Sequence, residues 1–208
     1  MLQYSTVEPG TLDVLKELMQ VPELNDFYLV GGTALAFYFG HRLSVDIDLF
    51  STTIFSSDDL IPPLEKKFPS FSYRSTHNPI GLFGMIENIK VDFVKHHLHP
   101  LIDKPLLEDG IRIFSIPDIM AMKIAAILKR GVKKDFWDIA ELLKHYSVED
   151  FINFYTKKYP SQQLLISVPY ALTYFIDAEE SEDPVSLKGQ TWETVKKYIQ
   201  QKVSEFLS

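Results

Sequence analysis

Asp46 and Asp48 stand one residue apart in the run Val45-Asp46-Ile47-Asp48-Leu49-Phe50. In an extended strand alternate side chains share a face, so both carboxylates project to one side while Val45, Ile47 and Leu49 project to the other. Close carboxylates repel unless a cation lies between them, and an all-oxygen donor pair suits a hard divalent ion such as Mg²⁺ or Mn²⁺. The same spacing also serves a strand end that caps a turn or faces solvent. Upstream, Gly31-Gly32-Thr33 lets the backbone approach a ligand, and a helix start there presents N–H groups and the Thr33 hydroxyl to phosphate. A plain strand-to-helix turn that needs φ > 0 would use the same glycines. A metal-bound triphosphate needs both halves, donors for phosphate oxygens and carboxylates for the metal.

The helical half holds an anomaly of its own. Ser115-Ile116-Pro117-Asp118 fits a helix start, after which Ile116, Ile119, Met120, Ile124 and Ile127 mark an apolar face. At 100° per residue Lys123 falls within that face, so it must snorkel, pair with an acid or bind an anion. Arg130 lies near the same face seven residues on. In the next helix Asp135 borders the apolar arc of Phe136, Ile139, Ala140, Leu142 and Leu143, with Asp138 at its margin. Interhelical salt bridges would account for these charges as well.

The stretch LVGGTALAFYFGHRLSVDIDLF resembles the signature of the AbiEii/AbiGii-type nucleotidyltransferase-like family, within the DNA polymerase β-type nucleotidyltransferase superfamily. The resemblance rests on Gly31, Gly32 and Thr33, on Asp46-Ile47-Asp48 after twelve intervening residues, and on His41-Arg42-x-Ser44 before the acidic pair. The later series Lys123, Arg130, Lys134, Asp135 and Asp138 is similar to the family too, so the likeness covers roughly residues 28–145. It implies Asp46, Asp48 and a third acid as metal ligands, and Gly31, Gly32, Thr33, Arg42, Ser44, Lys123 and Arg130 as nucleotide contacts. The third acid is expected at Asp92 in the strand IKVDFV, with Glu87 a weaker substitute and a plain surface aspartate the alternative. Lys123 is then expected to contact the nucleotide phosphates and support catalysis, and Asp135 or Asp138 to support catalysis or to position the lysine and arginine.

The implied reaction is transfer of a nucleoside monophosphate from a nucleoside triphosphate to a hydroxyl acceptor, with Mg²⁺ or Mn²⁺ as cofactor. By the same resemblance tRNA is an acceptor, and an antitoxin protein is a partner in a two-gene toxin–antitoxin pair. Two readings compete: a small-molecule, antibiotic-type nucleotidyltransferase, and a catalytically silent nucleotide-binding module. His96, His97 and His99 lack a carboxylate partner at zinc spacing and read as surface or acceptor-contacting residues.

These residues need a scaffold, and the chain predicts an α/β (α+β) fold. Residues 1–114 should form a nucleotidyltransferase-like mixed sheet with flanking helices, and residues 115–208 a mostly helical lobe, the two forming opposite walls of a cleft. Strands are expected over Phe27–Val30, Ser44–Phe50, 71–76 and 80–95. Helices are expected over 11–20, Thr33–Phe39, 57–68, Ser115–Arg130, Lys134–Tyr146, Val148–Lys158, around 163–178 and Thr191–Leu207. Pro62-Pro63 would begin or break the third of these.

Of the 208 residues, 46% are hydrophobic, 24% charged and 13% aromatic, a globular composition. The absence of cysteine excludes disulfides and thiolate metal sites, and a cytoplasmic location is the expectation. No apolar run approaches a membrane span, and the first residues lack a signal-peptide pattern. A net charge of -7 argues against coating nucleic acid by bulk electrostatics, so a nucleic-acid substrate would need a local basic patch.

Overall fold

The computed structural model describes all residues from Met1 to Ser208. The chain folds as two compact units: Met1–Tyr38, Ser44–Pro100 and Lys104–Phe114 form the first, and Phe39–Leu43, Leu101–Asp103 and Ser115–Ser208 the second.

The first unit is a seven-stranded mixed sheet. Its strands are β1 (Phe27–Leu29), β2 (Ile47–Ser51), β3 (Ser72–Tyr73), β4 (Gly81–Ile86), β5 (Ile89–Lys95), β6 (Leu106–Glu108) and β7 (Ile111–Ile113), in the order β3-β4-β5-β2-β1-β7-β6. Strand β2 runs parallel to β5 and antiparallel to β1, and β1 runs parallel to β7. The helices are α1 (Pro9–Leu18), α2 (Gly31–Phe39) and α3 (Ser57–Lys67). Alternation accounts for the core: Ile47, Leu49, Val91 and Phe93 are all buried on one face of β2 and β5.

Several boundaries differ from the sequence expectation. Strand β2 begins at Ile47 rather than Ser44, because the backbone ahead of it is tied elsewhere, with Ser44 N–H donating to the Thr6 carbonyl. Val45 is consequently 56% exposed and does not join the core. Helix α2 begins at Gly31, two residues early, and α3 contains both prolines. The prolines are the sixth and seventh of its eleven residues, and each removes one helical hydrogen bond. The β6–β7 hairpin was not foreseen. Its signal was available, since Asp109-Gly110 (φ 51° and 80°) is an Asp-Gly turn between short alternating strands.

The second unit comprises α4 (Ile116–Arg130), α5 (Lys133–Leu142), α6 (Val148–Lys158), α7 (Val168–Thr173) and α8 (Trp192–Leu207). Helix α4 packs on α5, α6 and α7, and α5 packs on α8. Ser115 caps α4 by accepting from Asp118 N–H, and Ser147 with Asp150 forms a reciprocal capping box on α6. Phe136, Trp137 and Phe151 are fully buried, each worth about 1.5–3 kcal/mol of apolar burial. The helix expected around 163–178 shrinks to Val168–Thr173, since its cap is Ser167, whose side chain accepts from Tyr170 N–H.

Candidate active site

Parallel pairing places Asp48 directly across from Asp92. Because β2 and β5 bury their other faces, the two carboxylates share the remaining one. Asp46 stands one residue before β2, and its carbonyl accepts a hydrogen bond from the Thr33 hydroxyl. Thr33 also lies 2.9 Å from Ser44 Oγ, and both residues are buried. The Thr33 hydroxyl is therefore directed at the backbone that carries Asp46, fixing the entry to the acidic strand.

The glycine turn abuts these acids. Val30 N–H donates to the Asp48 carbonyl at 2.9 Å, and the next residue, Gly31, takes φ +72° to enter α2. A Cβ on Gly31 would lie 2.5 Å from Asp48 Oδ2. Only glycine allows both that dihedral and that approach. The start of α2, whose first N–H groups have no intrahelical acceptor, thus adjoins the Asp48 carboxylate. Gly31→Ala is expected to cost about 1–2 kcal/mol in backbone strain and to weaken nucleoside triphosphate binding by displacing Asp48. Thermal melting alongside a nucleotide titration checks both effects, and unchanged affinity would show that the turn takes no part in binding the triphosphate.

Asp92 is buried, with Oδ1 lacking any hydrogen-bond partner and Oδ2 accepting from the half-exposed Lys90 ammonium. Burial alone would lower the Lys90 pKa, but the hydrogen bond and charge of Asp92, followed by the charges of Asp48 and Asp46, hold it above its ordinary value. One ammonium therefore feels all three acids. An all-carboxylate donor set with an orphaned buried oxygen fits a hard divalent cation. No three acidic or histidine side chains already stand at metal-ligand spacing. Glu87, at φ 50° in the β4–β5 turn, is exposed and occupies the hairpin tip.

In the second unit Lys123 pairs with acids, the second of the three options its sequence position left open. Its ammonium lies 2.8 Å from Asp135 Oδ1 and 2.6 Å from Asp138 Oδ2, all three residues being buried. Asp138, expected at the margin of the apolar arc, is completely buried. It also meets His41 Nε2 at 2.7 Å and accepts from Arg42 Nε at 2.7 Å and Arg42 Nη2 at 3.0 Å. Four donors thus satisfy its two oxygens. Burial pushes the Asp138 carboxyl up, but the charges of Arg42 and Lys123 and the bonds from His41 and Arg42 outweigh it and hold it well below the ordinary 3.8. For Lys123 burial acts downward, and Asp135 and Asp138 overcome it to leave the ammonium above its usual value.

A depressed carboxyl stabilises the fold above its unfolded pKa and loses that contribution as pH falls through its folded value. Acid unfolding should therefore show a stability slope below pH about 3.8 that Asp138→Asn lacks. Denaturant melts between pH 5 and 2 test this, and parallel slopes in the two proteins would contradict it.

Arg130 is not gathered with Lys123: it is exposed at the end of α4, and Lys134 is exposed at the start of α5. Sequence reasoning assigned Arg42 to nucleotide, whereas its guanidinium is engaged by Asp138. It missed Lys90, although alternation places Lys90 and Asp92 on one face. A second buried pair has no local sequence signal: Asp118 accepts from Lys158 Nζ at 2.7 Å and from Ile102 and Asp103 N–H. His96 belongs to a ring cluster with Phe50, Phe114 and His99 at 4.9–5.9 Å.

The sequence matches the family model described as Nucleotidyl transferase AbiEii toxin, Type IV TA system, over residues 13–81 and 80–169. It is 32% identical over 212 residues to the uncharacterized protein aq_aa25 of Aquifex aeolicus, covering 94% of this chain and 95% of that one. A putative nucleotidyltransferase from H. pylori has the same fold, with TM-score 0.59 and 16% identity over 97% of this chain and 99% of its own. The nucleotidyltransferase toxin MenT4 of Mycobacterium tuberculosis is similar at TM-score 0.61 and 12% identity, covering 94% of this chain and 82% of its own. The family model spans well over half of the sequence, and this chain belongs to the AbiEii nucleotidyl transferase toxin family.

Proposed function

We propose that the protein transfers a nucleoside monophosphate from a nucleoside triphosphate to a hydroxyl of tRNA, as the toxin of a pair whose antitoxin is a separate protein, in the cytoplasm. The observation that carries the chemistry is the pairing of Asp48 with Asp92 beside the Gly31 approach. The toxin role and the antitoxin rest on family membership and on the likeness to a toxin of the same fold, and the tRNA acceptor on what the resemblance of the motifs implies. No helix is long and apolar enough to cross a membrane.

Asp46, Asp48 and Asp92 would hold Mg²⁺ or Mn²⁺, which when bound supplies Lewis-acid stabilisation of the charge on the transferring phosphate. Gly31 and Gly32 N–H groups at the start of α2 bind triphosphate oxygens, while Thr33 and Ser44 keep the Asp46 backbone in place. Asp92 accepts the proton of the acceptor hydroxyl as its oxygen bonds to the α-phosphorus. The bond from that phosphorus to pyrophosphate breaks with inversion at an in-line centre. For Lys123, Asp135, Asp138 and Arg42 we infer a positioning role, because their charges satisfy one another in a buried network.

Incubation with triphosphates labelled at the α- or the γ-phosphate, Mg²⁺ or Mn²⁺, and either total tRNA or aminoglycosides tests this reading. Label retained on tRNA from the α-phosphate alone supports it. Label on aminoglycosides only would establish the small-molecule enzyme instead, and binding without transfer would leave a nucleotide-binding module.

A further inference from the structure

Lys90 and Asp92 lie two residues apart on β5, so they share a face and stand about 7 Å apart along the strand. The lysine side chain spans that gap to donate to Asp92 Oδ2, and its charge is also felt by Asp48 and Asp46. It is half exposed, and its β4 register partner, Met85, is 43% exposed. Lys90 can therefore leave the acids for water without disturbing packed residues.

We propose that Lys90 is the resident counter-ion of the acid cluster, occupying the place a divalent cation takes, so that metal loading exchanges one cation for another. The proposal rests on the metal-site reading of Asp46, Asp48 and Asp92. Three carboxylates crowded on adjoining backbone would repel strongly if bare. The ammonium relieves that repulsion in the apo protein and competes with the incoming metal. Once displaced, Lys90 no longer neutralises Asp92, leaving that carboxylate to the metal. Lys90 thus sets the affinity for metal without being a ligand.

The test is binding of Mn²⁺ alone, followed by the paramagnetic resonance of the free ion, to wild type, Lys90→Met, Lys90→Arg and Asp48→Asn at fixed ionic strength. Lys90→Met should bind at least about fivefold tighter, the effect of removing a competing unit charge at contact even in high dielectric. Lys90→Arg should stay near wild type and Asp48→Asn should bind more weakly. Melting adds a second readout: in chelator Lys90→Met should melt below wild type, and Mg²⁺ should raise it by more. Unchanged or weaker Mn²⁺ binding by Lys90→Met, with Asp48→Asn weakened, overturns the role of Lys90 alone. Wild-type affinity in Asp48→Asn overturns the metal site and this proposal with it.

Discussion

Asp48→Asn should lower kcat/KM for nucleotidyl transfer by more than about 100-fold, since even outer-shell partners of a metal cost 10- to 100-fold when changed. Its melting temperature in chelator should equal or exceed that of wild type. Asn keeps the shape of the side chain; it gives up the attraction between the Asp48 charge and the Lys90 ammonium but relieves the repulsion among the acids, and the relief outweighs the loss where three carboxylates share one ammonium. The opposed signs separate a functional carboxylate from a structural one. Parallel loss of stability and activity would make Asp48 a scaffold residue. Steady-state kinetics over a Mg²⁺ series and calorimetric melting are the two measurements.

The opposite pattern is expected at Asp138. Asp138→Ala leaves the Arg42 guanidinium and Lys123 ammonium buried with only Asp135 to balance them. Removing one partner of a buried ion pair costs about 3–5 kcal/mol, chiefly because the remaining charge is stranded. At about 2–4 °C per kcal/mol for a chain of this size, its melting temperature should drop by roughly 6–20 °C. Residues 39–43, which carry His41 and Arg42, should become protease-sensitive at the same time. Pairing Asp138→Leu with Arg42→Met should recover part of the loss, because no guanidinium then remains buried without a counter-charge. A single variant that melts like wild type would show that the network contributes nothing to folding.

These two carboxylates also mark what the sequence made legible. The period of two in VDIDLF and IKVDFV identified the face that carries Asp46, Asp48 and Asp92. That β2 and β5 would lie side by side and parallel, with Asp48 opposite Asp92, depends on sheet topology over a separation of more than forty residues. Lys123 was visible as a misfit by helical period, and Asp135 and Asp138 were in view one helix later. The arrival of His41 and Arg42 at the same carboxylate was not, because a local pattern carries no record of which loop packs against which helix. Asp118 read as a capping-turn acid for the same reason. Its partner Lys158 lies forty residues away, at the end of α6. Thr33 was noted as a hydroxyl suited to phosphate, yet burial turns it toward the Asp46 carbonyl.

The central claim is that Asp46, Asp48 and Asp92 form the metal-dependent centre of a nucleotidyltransferase. It is tested most directly by counting pyrophosphate released and labelled tRNA formed from α-labelled triphosphate, in wild type and Asp46→Asn side by side. Equal amounts of both products in wild type, dependent on Mg²⁺ or Mn²⁺ and absent in the variant, are the expected result; equal labelling by the two proteins would contradict the assignment.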